Sequence, residues 1–382
     1  KEQTEIASFQ EHKQLICNGA RMQKKDDVLQ YLTKEFQKID SNAKIKDTGN
    51  GYYINCKGER FLYDYDFNEY EVNEGSESDW TYINNDDGSL NLLKYNKTVN
   101  GKIVFPNFID EKPIKGIGND IFFDNQNLTD IEISYGIEKI GNQAFKQCYN
   151  LECELQIPSS IIDIGNQAFY DCKKLKGDIT DVIRRLNSIN SGIFYNCENI
   201  RGSIKFKDGI TTIGERAFYN CKNLDGYLYV PSSVNDIRSG AFVNCENLKG
   251  DITTTIKNLD SINSSIFFGC SKLTGSIIIK DGIQNISDNA FKGCTSLNGD
   301  IVLPQSLKTI SGHAFENCSN LSGKLVVGEN LEVISDYAFY NCNALNSIKY
   351  AGDSTQWEKI SIGINNFILY NLDIEYNYKY LQ

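Results

Sequence analysis

Histidine is nearly missing: His12 and His313 are the only two in 382 residues, beside five prolines, one methionine and two tryptophans. Two histidines so far apart leave each standard catalytic constellation short of a member. No H-E-x-x-H, C-x-x-C or phosphate-cradling glycine loop stands in for them, which argues against an enzyme, a cofactor or a metal centre. His313 lies in Gly312-His313-Ala314-Phe315, where similar segments carry Gln, Arg or Asn, and it reads as a surface variant. No run of about 18 apolar residues is present, so no part of the chain reads as a bilayer-spanning helix. Basic runs are missing too. With 39 Lys and Arg against 50 Asp and Glu, the net charge is −11. Such a chain repels phosphate backbones and anionic headgroups, so neither nucleic acid nor membrane contact by this segment is expected.

What is present is a repeat. The segment Ile140-Gly141-Asn142-Gln143-Ala144-Phe145-Lys146-Gln147-Cys148 returns at Ile164 to Cys172 and again at Ile213 to Cys221. Its phenylalanine recurs as Phe122, Phe145, Phe169, Phe194, Phe218, Phe242, Phe267, Phe291, Phe315 and Phe339, in steps of 23 to 25 residues. The unit reads L-x-G-x-I-x-[IV]-(P)-x-x-[IVL]-x-x-I-[GSN]-x-x-[AI]-F-x-x-C. Its first part alternates apolar and polar residues, as a half-buried strand requires, and Leu224 to Val230 followed by Pro231 is a clear instance. The A-F-x-x-C part suits a tight helical or 3₁₀ turn that packs Phe inward. One such unit cannot bury a face alone, whereas stacked units share one continuous core. A longer period overlies the first. Gly202-Ser203-Ile204-Lys205 returns as Gly275-Ser276-Ile277-Ile278, and Gly177-Asp178-Ile179-Thr180 as Gly250-Asp251-Ile252-Thr253, both shifted by 73 residues. Three coils therefore read as a duplicated block.

Nine of the twelve cysteines occupy the last position of the unit: Cys148, Cys172, Cys197, Cys221, Cys245, Cys270, Cys294, Cys318 and Cys342, with Asn125 in that place in the first coil. A one-per-coil ladder points its side chains in parallel, whereas zinc needs converging ligands. Coils about 4.8 Å apart bring the Cα atoms within disulfide range, but parallel Cβ vectors do not supply the near-90° torsion. Buried thiols making weak hydrogen bonds inside the turn are expected. Cys153 stands where most coils have the strand glycine. Cys17 and Cys56 lie outside the array, and whether they are bridged is left open.

Residues 1–100 lack the repeat. Ile6, Phe9 and Ile16 mark one face of a short helix; Val28, Leu32, Phe36 and Ile39 mark another, with Asp26 and Asp27 at its electropositive start. Strands are expected at Gly51 to Cys56, Arg60 to Tyr65 and Tyr70 to Val72, giving a small α+β domain with an antiparallel meander. Asn73 to Asn85, acidic and rich in Ser and Gly, reads as a loop or linker. At the other end, residues 347–382 break the pattern, and Trp357 suits a cap over the last coil.

These coils resemble BspA-type leucine-rich repeats over roughly residues 100 to 377. The resemblance implies a leucine-rich-repeat solenoid of about ten coils at 101–346, with the small α+β domain before it and the cap after it. Its L-x-G strand and its coils of up to 25 residues depart from the usual 23-residue unit. It also implies a bacterial or protist surface protein that binds host or matrix components, with no catalytic residues to carry over. The string Lys1-Glu2-Gln3-Thr4-Glu5-Ile6-Ala7 is similar to the stretch just after the hydrophobic helix in clostridial prepilin-like surface proteins. That likeness implies a membrane anchor upstream of Lys1.

Two function classes fit these features. The first is an extracellular or cell-surface adhesion protein that presents the solenoid's strand face to a protein or glycan of host or matrix. The outward strand positions offered for it are Tyr227 and Tyr229, Asp178, Asp251 and Asp300, and the apolar Ile278, Val302 and Val326. An aromatic pair flanked by acids suits recognition, because such anchors lose little entropy on binding. The alternative is a structural, pilin-like subunit whose solenoid acts as a spacer.

Overall fold

Every turn of the array is shaped by two residues in the left-handed backbone region, two places before and two places after its core phenylalanine. Around Phe145 they are Gln143 (φ 54°) and Gln147 (φ 62°); around Phe218 they are Arg216 (φ 52°) and Asn220 (φ 56°). Alternating left- and right-handed residues turn every second N–H toward the same side. Gln143, Phe145 and Gln147 accordingly donate to the carbonyls of Asn166, Ala168 and Tyr170 in the following coil, at 2.8, 2.8 and 2.7 Å. The turn is thus a hydrogen-bonded ladder in its own right. Asn and Asp at the later position accept that conformation at little cost. Their amides form a second ladder outside it: Asn244 donates to Asn220 (2.7 Å), Asn220 to Asn196 (2.8 Å) and Asn196 to Asp171 (2.6 Å).

The computed structural model describes residues 2–379, with side chains from residue 9 onward. Ile6 and the rest of the Lys1 to Ala7 string have their side chains outside the described residues. Helix α1 (Glu2–Arg21) is longer than the sequence pattern suggests, and α2 (Val28–Ile39) buries Val28, Leu32 and Phe36. Both helices pack on an antiparallel sheet of β1 (Lys44–Asp47), β2 (Gly51–Cys56), β3 (Glu59–Asp64) and β4 (Glu69–Tyr70) in that order. Here Cys17 and Cys56 are separate buried thiols. Asn73 to Asn85 is not a linker. It contains the strand Trp80–Asn84, which pairs antiparallel with Leu90–Tyr95, and that strand in turn pairs parallel with Lys112–Ile117 of the array. Trp80 is buried in the array's core, against Tyr95 and Phe105. An acidic, polar composition hid this hairpin, because only one of its faces is covered. Residues expected in the N-terminal part therefore build the outer edge of the array's first sheet.

From Phe122 to Phe339 the chain winds as a solenoid whose coils pair through two parallel ladders. One runs through pairs such as Ile204–Lys205 with Leu228–Tyr229, and Ile277–Ile278 with Ile301–Val302. The other holds residues such as Thr212–Ile213 against Asp236–Ile237. Between them the ten phenylalanines stack, with centroid spacings such as 5.2 Å for Phe145–Phe169 and 5.5 Å for Phe218–Phe242. The three-coil block is visible as structure. Short helices α3 (Thr180–Ile183) and α4 (Thr253–Asn258) interrupt the first ladder at equivalent places in the two copies.

All nine repeat cysteines are buried free thiols, and their shortest bonds reach the neighbouring coil, although Cys221 also approaches the Tyr219 carbonyl of its own turn at 4.0 Å. Each Sγ donates to the carbonyl of the phenylalanine one coil earlier, as Cys148 does to Phe122 (3.1 Å), Cys221 to Phe194 (3.1 Å) and Cys342 to Phe315 (3.0 Å). Asn125 is no donor of this kind; its Oδ1 accepts from the N–H groups of Asn127 and Leu128.

Past Tyr350 the chain folds over the last coil. Asn366, fully buried, accepts at its Oδ1 the N–H of Phe339 at 2.9 Å. Phe315 N–H donates instead to Ala338 of the coil after it. A side chain thus replaces the missing coil, and Trp357 packs edge-on to Tyr350 beneath it.

Candidate binding faces

The first ladder ends in the side chains that face outward from the strands. Tyr227 and Tyr229 stand there at 52% and 54% exposure, with ring centroids 6.1 Å apart. Lysines adjoin them beside the expected acid Asp251, which lies two residues after Lys249 in the neighbouring coil. Lys205 pairs with Tyr229 across the ladder, Lys249 bridges to Tyr227, and the Lys249 ammonium lies 5.9 Å from the Tyr227 ring. No such pair of rings stands elsewhere among the described residues of this ladder.

The acidic candidates have other duties. Asp178 Oδ1 accepts from the N–H of Thr180, the first residue of α3, and Asp251 Oδ1 does the same for Thr253 of α4, both at 2.8 Å. Asp300 Oδ1 accepts from Lys324 N–H of the next coil, also at 2.8 Å. Thr180 and Thr253 accept from Ser203 and Ser276 N–H through their hydroxyls. These carboxylates hold the coils that carry the helices. Asp251→Ala is therefore expected to lower stability by roughly 1 kcal/mol, read as a drop in the urea midpoint. An unchanged midpoint would return Asp251 to the pool of free surface acids.

The apolar strip is narrower than expected. Ile278, Val302 and Val326 do align in register, but Val326 is buried and the other two are half-buried. The ladder then turns polar at Lys349 and Glu375, which pair at 2.7 Å. Among the described residues no cluster of His, Cys, Asp or Glu could hold a metal ion, and no helix is long and apolar enough to cross a membrane.

A second row of side chains went unseen in the sequence. In most coils the residue after the core phenylalanine lies on the outside of the turn, and several of these touch their counterpart in the next coil. Tyr170, Tyr195 and Tyr219 stack face to face with centroids 4.2 and 4.6 Å apart. The Lys146 ammonium covers Tyr170 at 5.1 Å, and the Lys292 ammonium lies 5.8 Å from the Phe268 ring. Farther along, Lys292 pairs with Glu316 at 2.9 Å; three residues before Glu316, His313 stacks on Tyr337 at 5.0 Å. Phe, Lys, Tyr, Val and Glu all occur at this position, so no single residue type marks it in every coil. Only aligning the column on Phe145, Phe169 and Phe194 would have exposed it.

Among solved structures the chain is similar to a leucine rich cell surface protein of Faecalibacterium prausnitzii, at 21% identity over 75% of this chain and 96% of that one, with a TM-score of 0.41. It is also similar to the pneumococcal vaccine antigen PcpA, at 18% identity over 88% and 98% of the two chains, with a TM-score of 0.40. A leucine-rich repeat protein of Eubacterium ventriosum is 18% identical over 82% and 96%, with a TM-score of 0.38. No curated protein sequence matches. The family described as BspA type leucine rich repeat region matches in six copies over residues 115–249 and 249–367. With well over half of its length matched and its coils stacked as that repeat requires, the chain belongs to the BspA-type leucine-rich-repeat family.

Proposed function

We propose that this chain is a non-enzymatic cell-surface or extracellular adhesion protein, and that its strand face binds a protein or glycan of host or matrix around Tyr227 and Tyr229. The observation that carries this reading is the exposure of two adjacent rings on a ladder whose aligned Ile278, Val302 and Val326 are half-buried or buried. A pair of rigid aromatics flanked by Lys205 and Lys249 offers contact area at small entropic cost, and its charge favours an acidic patch on the partner. Family membership supports a binding scaffold. Asp178, Asp251 and Asp300 contribute to this face by holding its shape, with Ile278 and Val302 at its apolar end.

The test is a binding screen of the purified chain against extracellular-matrix proteins and glycans, run beside the Tyr227→Ala/Tyr229→Ala double variant. Saturable binding that weakens about tenfold or more in the double variant is the expected result. A folded protein that binds nothing, and self-associates instead, would move the function to a pilin-like structural subunit with the solenoid as spacer. One observation favours that second reading: Leu15 and Met22, at 67% and 85% exposure, leave an apolar edge of the N-terminal helical region uncovered.

A further inference from the structure

The outer row on the turn side loses its stacked rings at Val243. From Lys146 through Tyr170, Tyr195 and Tyr219 each side chain covers the next, and beyond the break Lys292 approaches the ring of Phe268. Between Tyr219 and Phe268 the intervening coil supplies Val243 at the same position and Gly240 beside it. Neither has a ring. Two coil steps separate the flanking rings, roughly 9 to 10 Å by the spacing of parallel strands. With carbon surfaces in contact at about 3.5 to 4 Å, a span of that order would admit one six-membered ring.

A cleft of about 340 Å³ occupies this break. It is lined by Tyr219, Phe268, Val243 and Gly240, of which Val243 and Gly240 are themselves buried, and by Arg216, Ser239, Ser264, Ser265 and Asn289. Among the described residues the side chains of the three serines and Asn289 make no hydrogen bond within the protein. Arg216 is held only loosely, with its Nε 3.7 Å from Glu215. Gly240 has φ 68°, the left-handed conformation that Arg216, His313 and Tyr337 adopt at equivalent places with side chains attached. The backbone therefore does not demand glycine here. What its absence of a side chain provides is room.

We infer that this cleft binds a hexopyranose unit of a glycan, its ring inserted between Tyr219 and Phe268 and its hydroxyls bonded to the serine, Asn289 and Arg216 side chains. The polar lining decides in favour of a sugar. A peptide's aromatic side chain would fill the width but leave that lining unpaired as it lost water, which costs affinity. A pyranose presents apolar C–H faces to both rings and a rim of hydroxyls to the donors and acceptors. This site lies on the turn side and stands independently of the tyrosine pair on the strands.

The experiment is saturation-transfer NMR on the full chain, with the methyl β-pyranosides of glucose, galactose and N-acetylglucosamine as probes and N-acetyltyrosinamide as the competing arm. Transfer to at least one sugar is expected. Val243→Tyr, which extends a row already made of three tyrosines, is expected to fold normally by circular dichroism and to weaken that sugar's binding about tenfold or more. Tyr219→Ala should weaken it similarly, and serves if Val243→Tyr misfolds. Tyr227→Ala/Tyr229→Ala should leave it unchanged. Three results would overturn the inference: no transfer to any of the sugars at millimolar concentration, transfer that survives in a folded Val243→Tyr protein, or binding of N-acetyltyrosinamide alone.

Discussion

Raising the pH above 9 is expected to unfold the array in a single steep transition. Burial pushes the thiols of all nine repeat cysteines above their ordinary value of 9.0, with Cys148 and Cys342 raised to about 12. In the unfolded chain they ionise near their ordinary value. A group raised in this way keeps its full contribution below the unfolded pKa and loses it as the pH climbs toward the folded one. Each thiol neutral in the fold but ionised in the unfolded chain costs about 1.4 kcal/mol per pH unit. Nine together cost about 12 kcal/mol per pH unit once the unfolded chain is fully ionised, against a typical total stability of about 5 to 15 kcal/mol. Loss of the β circular-dichroism signal between about pH 9 and 11 is the expected outcome, with all nine thiols becoming reactive to a disulfide reagent in the same interval. Full ellipticity and unreactive thiols at the upper end would mean that the unfolded chain gains far less from ionisation than burial implies.

Phe218→Ala is expected to cost about 3 to 5 kcal/mol, the range for deleting a fully buried aromatic ring. Phe218 stacks between Phe194 and Phe242 and also touches Phe206, so its loss removes contacts in three directions. The surroundings have little freedom to collapse, because each coil is fixed by ladders to the coils before and after it. In a linear array the break is local, since each repeat contacts only its neighbours. The denaturant curve should therefore shift to lower midpoint and also broaden, as the halves on either side begin to unfold separately. A shift of under about 1 kcal/mol would show that the cavity closes and that the stack is not what couples the coils.

The sequence made the spiral legible because its signal is repeated ten times. Phe, Ile and the nine Cys stand in one register, and each copy corrects noise in the others. Domain-scale reading was weaker where a feature occurs once. Trp80 to Tyr95 looks like a polar connection until its pairing with Lys112–Ile117 is seen. Thr253-Thr254-Thr255-Ile256 is rich in β-branched residues yet helical; Asp251 accepts the N–H of Thr253, and Thr255 and Ile256 are buried. The thiols were recognised as buried and unbridged, but the direction of their bonds depends on where the preceding coil's carbonyl lies, which no spacing reveals. Of the candidate site, exposure of Tyr227 and Tyr229 followed from alternation along the strand. The tasks of Asp178 and Asp251 did not, since a carboxylate on an outward position looks alike whether it meets solvent or a backbone N–H two residues on. The ring-sized break at Val243 was invisible because it is defined by what its neighbours carry.

The duplicated block marked by α3 and α4 makes length an inheritable variable. Whole blocks end on surfaces that match their beginnings, so slippage during replication can add or delete three coils without creating a new kind of joint. Each event would change the distance between the N-terminal helices and the far cap by about 14 Å, three strand spacings. Lineages carrying this protein would then differ in reach by regular increments, like rulers cut at the same marks, while the chemistry of each coil stayed the same.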